Sequence, residues 1–288
     1  MKTTKQSFFI FLALLICFLP FAVFLSWPQN KISFIACNVG QGDAIFITKG
    51  FTQILIDGGP NAKVLDCLSE NMPFWDREIE LIVNTHPDAD HITGLIDVIE
   101  RYSVKMLLSN SMNIDEATFQ AFLKLTKNKN IPVYSPQKGD KLKVGEISID
   151  VLWPSEKVGK LAMWQQNQKD QVLGEKVYKG ETNIKSLVLQ IKHKSFDAVL
   201  TGDIGFNEEK EIIKNNTFSG IEILKIAHHG SKYSTSIEFL KAVDPDIAVI
   251  SVGKNPWGHP TQDVLQKLKK ENIKVLRTDT DEINISYE

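Results

Sequence analysis

The stretch VNTHPDADH, residues 83–91, places four side chains that bind metal ions within six residues. They are His86, Asp88, Asp90 and His91. Imidazole and carboxylate ligands together suit zinc, manganese or iron. Neighbouring carboxylates repel one another unless a cation lies between them, so a metal site explains this loop better than a solvated turn does. Four such groups exceed what one open catalytic ion needs, which favours two divalent ions.

Further histidines and an aspartate follow apolar segments that read as strands. Asp203 follows DAVLTG, His228 and His229 follow EILKIA, and His259 follows DIAVISVGKNPWG. Loops at strand ends gather functional groups on a rigid frame, so we expect these residues to meet the first loop. Side chains alternate along a strand, so one of His228 and His229 is expected to reach the metal and the other a substrate phosphate. His193 lies between two lysines in a predicted hairpin and is expected at the surface.

The AHHGS motif leads into a predicted helix. Thr235 and Glu238 have the spacing of a capping box, which marks the start of that helix. Ser231 and Lys232 come shortly before it, and the start of a helix favours bound phosphate. We therefore expect Ser231 and Lys232 to contact a substrate.

The elements that must position these residues alternate between strand-like and helical patterns. A strand, IELIVNT, ends at the first metal loop, and the helical spacing of Ile92, Leu95, Ile96 and Ile99 follows it. The same mixture continues to the C-terminus and predicts two sheets covered by helices, within one domain spanning residues 31–288. The polar segment 156–182 lacks periodicity and is predicted to be a long surface insertion that forms a flap over the site.

The first 27 residues differ from the rest. Two lysines precede an apolar run from Phe8 to Leu25, which is just long enough to span a bilayer as a helix. We predict an uncleaved single-pass anchor in the cytoplasmic membrane, with the lysines inside, the domain outside and Trp27 at the interface. The alternative is a secretory signal peptide, although Phe24 and Ser26 make a poor cleavage site.

Composition narrows the class of partner. The net charge of −2 excludes a uniformly basic surface, so a nucleic-acid partner would need a local basic groove. The three cysteines form no metal-binding CxxC pair. We expect Cys37 and Cys67 to be two buried thiols in preference to a disulfide.

These motifs together resemble the metallo-β-lactamase superfamily, and within it the extracytoplasmic hydrolase domain of ComEC-type DNA-uptake proteins. The resemblance runs from about residue 31 to the C-terminus and rests on NVGQGDA, ILIDGG, THPDADH, SLVLQI, LTGDI, KIAHHGSKYSTS, ISVGKNPWGHP and LRTDTD. It implies a four-layer αββα sandwich, here preceded by the membrane helix, with two divalent ions, manganese or zinc, between the sheet edges. The ComEC-like branch has HxDxDH where the superfamily at large has HxHxDH.

The resemblance also implies roles for individual residues. His86 and Asp88 would hold one ion, Asp90 and His91 the second, and Asp203 would bridge both. His229, in preference to His228, would complete the second site. Asp88 would make the first site richer in oxygen and so favour manganese over zinc.

Other positions would act around the ions. Asn183 stands where the superfamily often has another histidine, and it would contact substrate. His259 would line the pocket or serve as a ligand. Asp43 and Asp57 would orient the metal loop. Asn38 stands where the common opening of the family has an aspartate, so it loses that charge.

The leading functional hypothesis is a phosphodiesterase or nuclease that acts on DNA outside the membrane. Asp90 or Asp203 would accept a proton from the nucleophile, and His228 or His259 would protonate the leaving oxygen. Two alternatives stay open. One is hydrolysis of envelope phosphodiesters or small esters, in the manner of a phosphorylcholine esterase or a lactonase. The other is a non-catalytic metal-bearing module. A separate channel or DNA-uptake protein is the expected partner.

Overall fold

The computed structural model describes residues 20–110, 116–154, 182–194 and 196–288, together with Leu12 and Phe18. The predicted insertion 156–182 lies outside the described residues except for Thr182, and so does most of the predicted anchor. Residues 20–25 are helical. No helix in the described part of the chain has the length and apolarity needed to cross a bilayer.

The first sheet has seven strands in the order β16-β1-β2-β3-β5-β7-β8. Their bounds are β1 Ile32–Ala36, β2 Ile45–Lys49, β3 Thr52–Ile56, β5 Leu81–Asn84, β7 Leu107–Ser109, β8 Val133–Tyr134 and β16 Ile283–Tyr287. Strand β2 pairs antiparallel with both β1 and β3, whereas β3, β5, β7 and β8 run parallel to one another. Two further short strands, β4 Glu78–Ile79 and β6 Ser103–Val104, pair beside it.

The second sheet also has seven strands, in the order β15-β14-β13-β12-β11-β10-β9. Their bounds are β9 Lys141–Val144, β10 Ile147–Trp153, β11 Val188–His193, β12 Phe196–Leu200, β13 Ile223–Lys225, β14 Ile247–Ile250 and β15 Lys274–Arg277. The strands from β12 to β15 are parallel. Their C-terminal ends therefore lie at one edge of the sheet, where Asp203 and His229 follow.

Apolar side chains form three layers of core that bind the sheets and helices together. One layer fills the space between the two sheets and includes Phe34, Ile149 and Ile223. The outer face of the first sheet is covered by α1 Lys63–Asn71, α2 Ala89–Arg101 and α3 Ala117–Asn128. The outer face of the second is covered by α4 Phe206–Asn215, α5 Ile237–Val243 and α6 Gln262–Lys270. The predicted αββα sandwich is confirmed.

Two elements differ from the sequence-based expectation. The C-terminal strand β16 was not predicted, because INISY is short and gains its stability by pairing with β1 at the sheet edge. Helix α5 is capped by Ser236, whose side chain accepts a hydrogen bond from the Phe239 N–H. Thr235 has a left-handed φ of 63° instead, so the predicted Thr235 capping box was wrong.

Two residue-level expectations were also wrong. Cys37 and Cys67 form a disulfide, with their Cα atoms 5.7 Å apart, because the end of β1 lies against α1. His193 is buried at the end of β11, next to the hairpin turn, where its Nε2 lies 3.2 Å from a carboxylate oxygen of Glu146.

Candidate metal centre

The centre lies where β2 begins, where β3 and β5 end, and where β12 and β13 end. Its focus is one carboxylate oxygen, Oδ2 of Asp203, near four imidazole nitrogens. The Nε2 atoms of His91 and His229 lie 3.5 Å from it, and those of His86 and His228 lie 3.9 Å from it. The sequence-predicted residues from the two halves of the chain therefore meet at this edge.

The first half of the chain supplies His86 and His91. His86 follows β5 with its ring fully buried, and its Nδ1 lies 3.0 Å from the Thr85 hydroxyl. His91 lies in the first turn of α2, and its Nδ1 donates to Oδ2 of Asp57 at 2.8 Å. Asp57 also accepts hydrogen bonds from the N–H and hydroxyl of Thr85, at 2.8 and 2.6 Å. One buried carboxylate therefore orients both parts of the metal loop, as expected.

Close backbone packing fixes the position of α2. A Cβ on Gly94 would lie 2.0 Å from the carbonyl oxygen of Gly58, so the helix can approach the end of β3 only without a side chain there. The Gly58 N–H donates to the carbonyl of His91 at 2.7 Å. The helix start that carries His91 is thus held against the β3 loop.

The second half supplies His229 from a left-handed turn. Strand β13 ends at Lys225, and the chain then turns through His228 and His229, whose φ angles are 50° and 54°. Non-glycine residues rarely adopt this conformation, and such strain is concentrated at functional sites. The turn buries His229, whose Nδ1 donates to the carbonyl of Ser251 at 2.9 Å, and leaves His228 33% exposed. Strand alternation was therefore the wrong reason for separating the two rings.

Lys225 is a residue that the sequence analysis missed. Its side chain is only 1% exposed, it forms an ion pair with Asp43, and its Nζ lies 3.9 Å from Oδ1 of Asp203. Burial opposes the ammonium charge, but the carboxylates of Asp43 and Asp203 outweigh it and raise the pKa of Lys225. A lysine between Leu224 and Ile226 in a fully buried strand was the signal that could have identified it.

The donor set fits a divalent cation. Among the described residues, Nε2 of His86, His91 and His229 and Oδ1 of Asp203 are buried without a hydrogen-bond partner. Buried polar atoms are rarely left unpaired, so unpartnered donors and acceptors facing one another indicate a missing ligand. In His91 and His229 the Nδ1–H donates to another group, which leaves Nε2 as the metal-binding nitrogen. Four groups of the described residues could hold an ion, and two of them combine His91 with another of these unpartnered histidines: His86, His91 and Asp203, and Asp90, His91 and His229.

The buried carboxylates also make positive charge favourable at the centre. Burial alone would lower the pKa of His91, but the carboxylates of Asp203 and Asp57 hold it well above its usual range. For His229, Asp203 and Asp43 likewise outweigh burial and raise the pKa to about 9. Burial and the charge of His91 lower the pKa of His86 to about 4. Without metal, protons on His91 and His229 balance the carboxylates that a cation would balance.

Asp88 and Asp90 lie at the open side of the centre. Oδ2 of Asp90 lies 3.3 Å from Nε2 of His229, and Oδ2 of Asp88 lies 3.7 Å from Nε2 of His86. The Thr182 hydroxyl donates to Oδ1 of Asp88 at 2.7 Å and holds that carboxylate in place. Asp88 is 39% exposed and belongs to none of the groups among the described residues that could hold an ion as they stand.

The predicted substrate residues occupy different positions. Ser231 is buried, and its hydroxyl accepts from the Tyr233 N–H at 3.4 Å. Ser231 and Lys232 precede the N-cap Ser236 by five and four residues, so they come shortly before α5 without belonging to its first turn. Lys232 is exposed, with its ammonium 4.9 Å from the Tyr233 ring. Asn183 is half-buried beside Thr182.

A line of rings leads from the centre to the surface. The ring centroids of His228 and His259 are 5.7 Å apart, and those of His259 and Trp257 are 6.2 Å apart. Asn255 organises this loop, because its side chain accepts from the N–H groups of Trp257 and His259. Trp257 is 65% exposed.

Asn38 is also exposed, and its side-chain oxygen accepts a hydrogen bond from the Gly40 N–H at 3.3 Å.

The architecture is a metallo-β-lactamase fold, and the centre has the histidines and aspartates of a divalent-metal site. The profile of the metallo-beta-lactamase superfamily matches residues 37–107. The chain is 29% identical over 263 residues to ComE operon protein 3 of Bacillus subtilis (strain 168). The aligned region covers 84% of this chain and 31% of that protein. The chain is therefore similar to the hydrolase domain of ComEC-type proteins over most of its length, and the resemblance noted in the sequence is confirmed.

A second relative and a solved structure agree with this assignment. Recombination protein 2 of Haemophilus influenzae is 27% identical over 265 residues, covering 88% of this chain and 28% of that protein. The crystal structure of the metallo-beta-lactamase fold protein YhfI from Bacillus subtilis shares the fold, with a TM-score of 0.56 and 13% identity over 90% of this chain and 100% of that one. The chain spans under a third of the length of both curated relatives.

Proposed function

We propose that this domain is a metal-dependent phosphodiesterase that cleaves DNA outside the cytoplasmic membrane. The observation that carries the proposal is the set of unpartnered, buried Nε2 atoms of His86, His91 and His229 around Asp203. A divalent cation held by these residues would supply a Lewis acid and would lower the pKa of a bound water, which is the chemistry of metal-dependent phosphodiester hydrolysis. The resemblance to ComEC-type DNA-uptake proteins and the similarity to Recombination protein 2 support DNA as the substrate.

The partly exposed residues around the metal site can carry out the proton transfers of the reaction. Asp90 is 32% exposed at the mouth of the centre, so it can accept a proton from an entering nucleophile. His228 is 33% exposed and its Nε2 lies 3.9 Å from Oδ2 of Asp203, so it can protonate the leaving oxygen. His259 lies next along the line of rings, and Lys232 offers an exposed ammonium to phosphate.

Exposed aromatic side chains favour a polynucleotide over a small ester. Trp257 and Tyr233 are 65% and 66% exposed on two loops that leave the centre. Aromatic side chains of this kind stack on the bases of single-stranded nucleic acid and accept every base. A small envelope phosphodiester or a lactone has no base to occupy them.

The location follows from two features. The apolar run Phe8–Leu25 supplies a membrane anchor, and the Cys37–Cys67 disulfide suits an oxidising compartment outside the cytoplasm. A separate channel or DNA-uptake protein is the partner that would take up the cleaved strand.

The test is an assay of the full-length chain on single-stranded DNA, double-stranded DNA and a small chromogenic phosphodiester, each with manganese, zinc or magnesium. We expect cleavage of single-stranded DNA, and we expect Asp90→Ala to abolish it. Trp257→Ala should raise the KM for DNA on the order of 10-fold, from one lost stacking contact, and leave the small ester unaffected. Trp257→Phe should restore the KM.

Two results would count against the proposal. Metal-loaded protein that hydrolyses the small ester but no DNA would select the envelope-phosphodiester or small-ester alternative. Stoichiometric metal without turnover of any of these substrates would select the non-catalytic binding module.

A further inference from the structure

The exposed large apolar side chains of the described residues fall at opposite ends of the domain. Phe206, Tyr233 and Trp257 lie at the end that carries the metal centre. The others lie where β1 and β3 begin or on the N-terminal segment that leads there. They are Leu12, Phe18, Phe21, Phe24, Leu25, Trp27, Phe51 and Phe74. A contiguous exposed apolar surface of this kind marks a contact with a partner or a membrane.

Three of the rings at this second end form a cluster. The centroid of the Trp27 ring is 5.3 Å from that of Phe51 and 5.9 Å from that of Trp75, and Phe51 is 5.7 Å from Trp75. Phe74 stands beside them and is 53% exposed. We call Trp27, Phe51, Phe74 and Trp75 the aromatic patch.

The aromatic patch is fixed to the residues that follow the apolar run. The indole N–H of Trp75 donates to the Ser26 hydroxyl at 3.0 Å, and the Gly50 N–H donates to the carbonyl of Gln29 at 3.2 Å. Ser26 follows Leu25 directly, so the chain has no free linker between the apolar run and the domain. If Phe8–Leu25 enters a bilayer, the aromatic patch comes to its surface.

The strand register places the metal centre at the far end. Lys49 pairs with Thr52 beside Phe51, whereas Ile45 pairs with Ile56 next to Asp57. Strands rise about 3.3 Å per residue, so the six steps from Phe51 to Asp57 span roughly 20 Å. Strand β5 runs parallel to β3. Trp75 therefore comes before the end of β5 that lies on the side of the aromatic patch, and His86 follows the end that lies at the metal centre.

We propose that the aromatic patch docks on the lipid–water interface and seats the domain with its metal centre facing away from the membrane. Tryptophan is enriched at that interface because its ring is apolar and its N–H is polar. The docked orientation keeps the centre roughly 20 Å from the patch along the strands, open to a soluble substrate. This inference rests on the anchor in the proposed function, but not on the proposed substrate.

The test uses the full-length chain in vesicles whose lipids carry bromine on the upper acyl carbons, which quenches nearby tryptophan. Trp27 adjoins the anchor, so Trp27→Phe serves as the background in which Trp75 reports docking. We expect bromolipid quenching in this background and its loss on adding Trp75→Phe. Adding Trp257→Phe instead should raise the quenched share of the emission, because Trp257 faces water.

A charge in the aromatic patch should undo the docking. In the Trp27→Phe background, Phe51→Asp should reduce bromolipid quenching and raise quenching by aqueous acrylamide. Tyr233→Asp, at the other end, should change neither. Vesicle-bound protein whose Trp75 is quenched by acrylamide and not by bromolipid would overturn docking and leave the anchor in place. Failure to sediment with vesicles would remove both, while the DNA assay would still judge the proposed activity.

Discussion

Oδ2 of Asp57 accepts a hydrogen bond from Nδ1 of His91 at 2.8 Å, deep under the metal centre. This contact fixes the His91 ring so that Nε2 faces Asp203 at 3.5 Å. A carboxylate partner also raises the basicity of a metal-binding imidazole. The metal affinity of the centre therefore depends on Asp57, a residue that is expected to contact neither metal nor substrate.

Asp57→Asn tests this dependence. Asparagine tolerates the left-handed φ of 58° at this position, so the backbone should be kept. We expect metal affinity to fall by about 10- to 100-fold, the usual effect of losing such a partner, as measured by titration calorimetry. Asp66→Asn, on the exposed side of α1, is the matched control. Equal affinity in the two variants would contradict the assigned role of Asp57.

Lys225→Met should destabilise the protein. It leaves Asp43 as an unpaired charge in the interior, which costs about 3–5 kcal/mol of the free energy of unfolding. The double variant Asp43→Asn, Lys225→Met removes both charges and should recover most of that loss in urea denaturation. If the double variant is no more stable than Lys225→Met, the pair does not act as a unit.

Metal binding should release protons at pH 7. The pKa of His91 is held well above its usual range and that of His229 is raised to about 9, so both rings are protonated in the metal-free protein. An ion must displace both protons, so affinity should rise with pH from pH 6 to about pH 9, where His229 loses its proton. Calorimetry in buffers with different ionisation enthalpies should count about two protons for a fully loaded centre. Affinity that stays flat from pH 6 to 9 would refute this prediction.

Much of the centre could be predicted because its residues follow apolar strands. Strand ends gather at one edge of a sheet, so Asp203 and the histidines could be expected to meet. The left-handed turn at His228 could not, because propensity alone would keep β13 going. The Cys37–Cys67 disulfide depends on the contact between the end of β1 and α1, which no local pattern records, whereas Lys225 was marked by its place between two apolar residues of a strand.

Asp88→His should shift the preference of the centre towards zinc. An imidazole there makes the donor set richer in nitrogen, whereas the present carboxylate favours harder ions such as manganese. The measurement is the ratio of zinc to manganese affinity, with Asp263→His as an exposed control on α6. An unchanged ratio would show that Asp88 is not a ligand.

Loss of the disulfide should cost stability. Cys37 and Cys67 are 30 residues apart, so the closed loop contributes about 3–4 kcal/mol to the free energy of unfolding. Cys67→Ser should lower the denaturation midpoint accordingly, whereas Cys17→Ser should leave it unchanged. A reductant that destabilises the wild type and spares Cys67→Ser would identify this bond as the cause.

The centre draws His86 and His91 from the first half of the chain and Asp203 and His229 from the second. An ion bound among them joins the two sheets, so it also holds the halves of the sandwich together. If the domain lies outside the cytoplasm, as proposed, proteases there attack any chain that opens, and the lifetime of this protein would then follow the local supply of metal. A shortage of metal would then lead to degradation of the protein as well as loss of its activity.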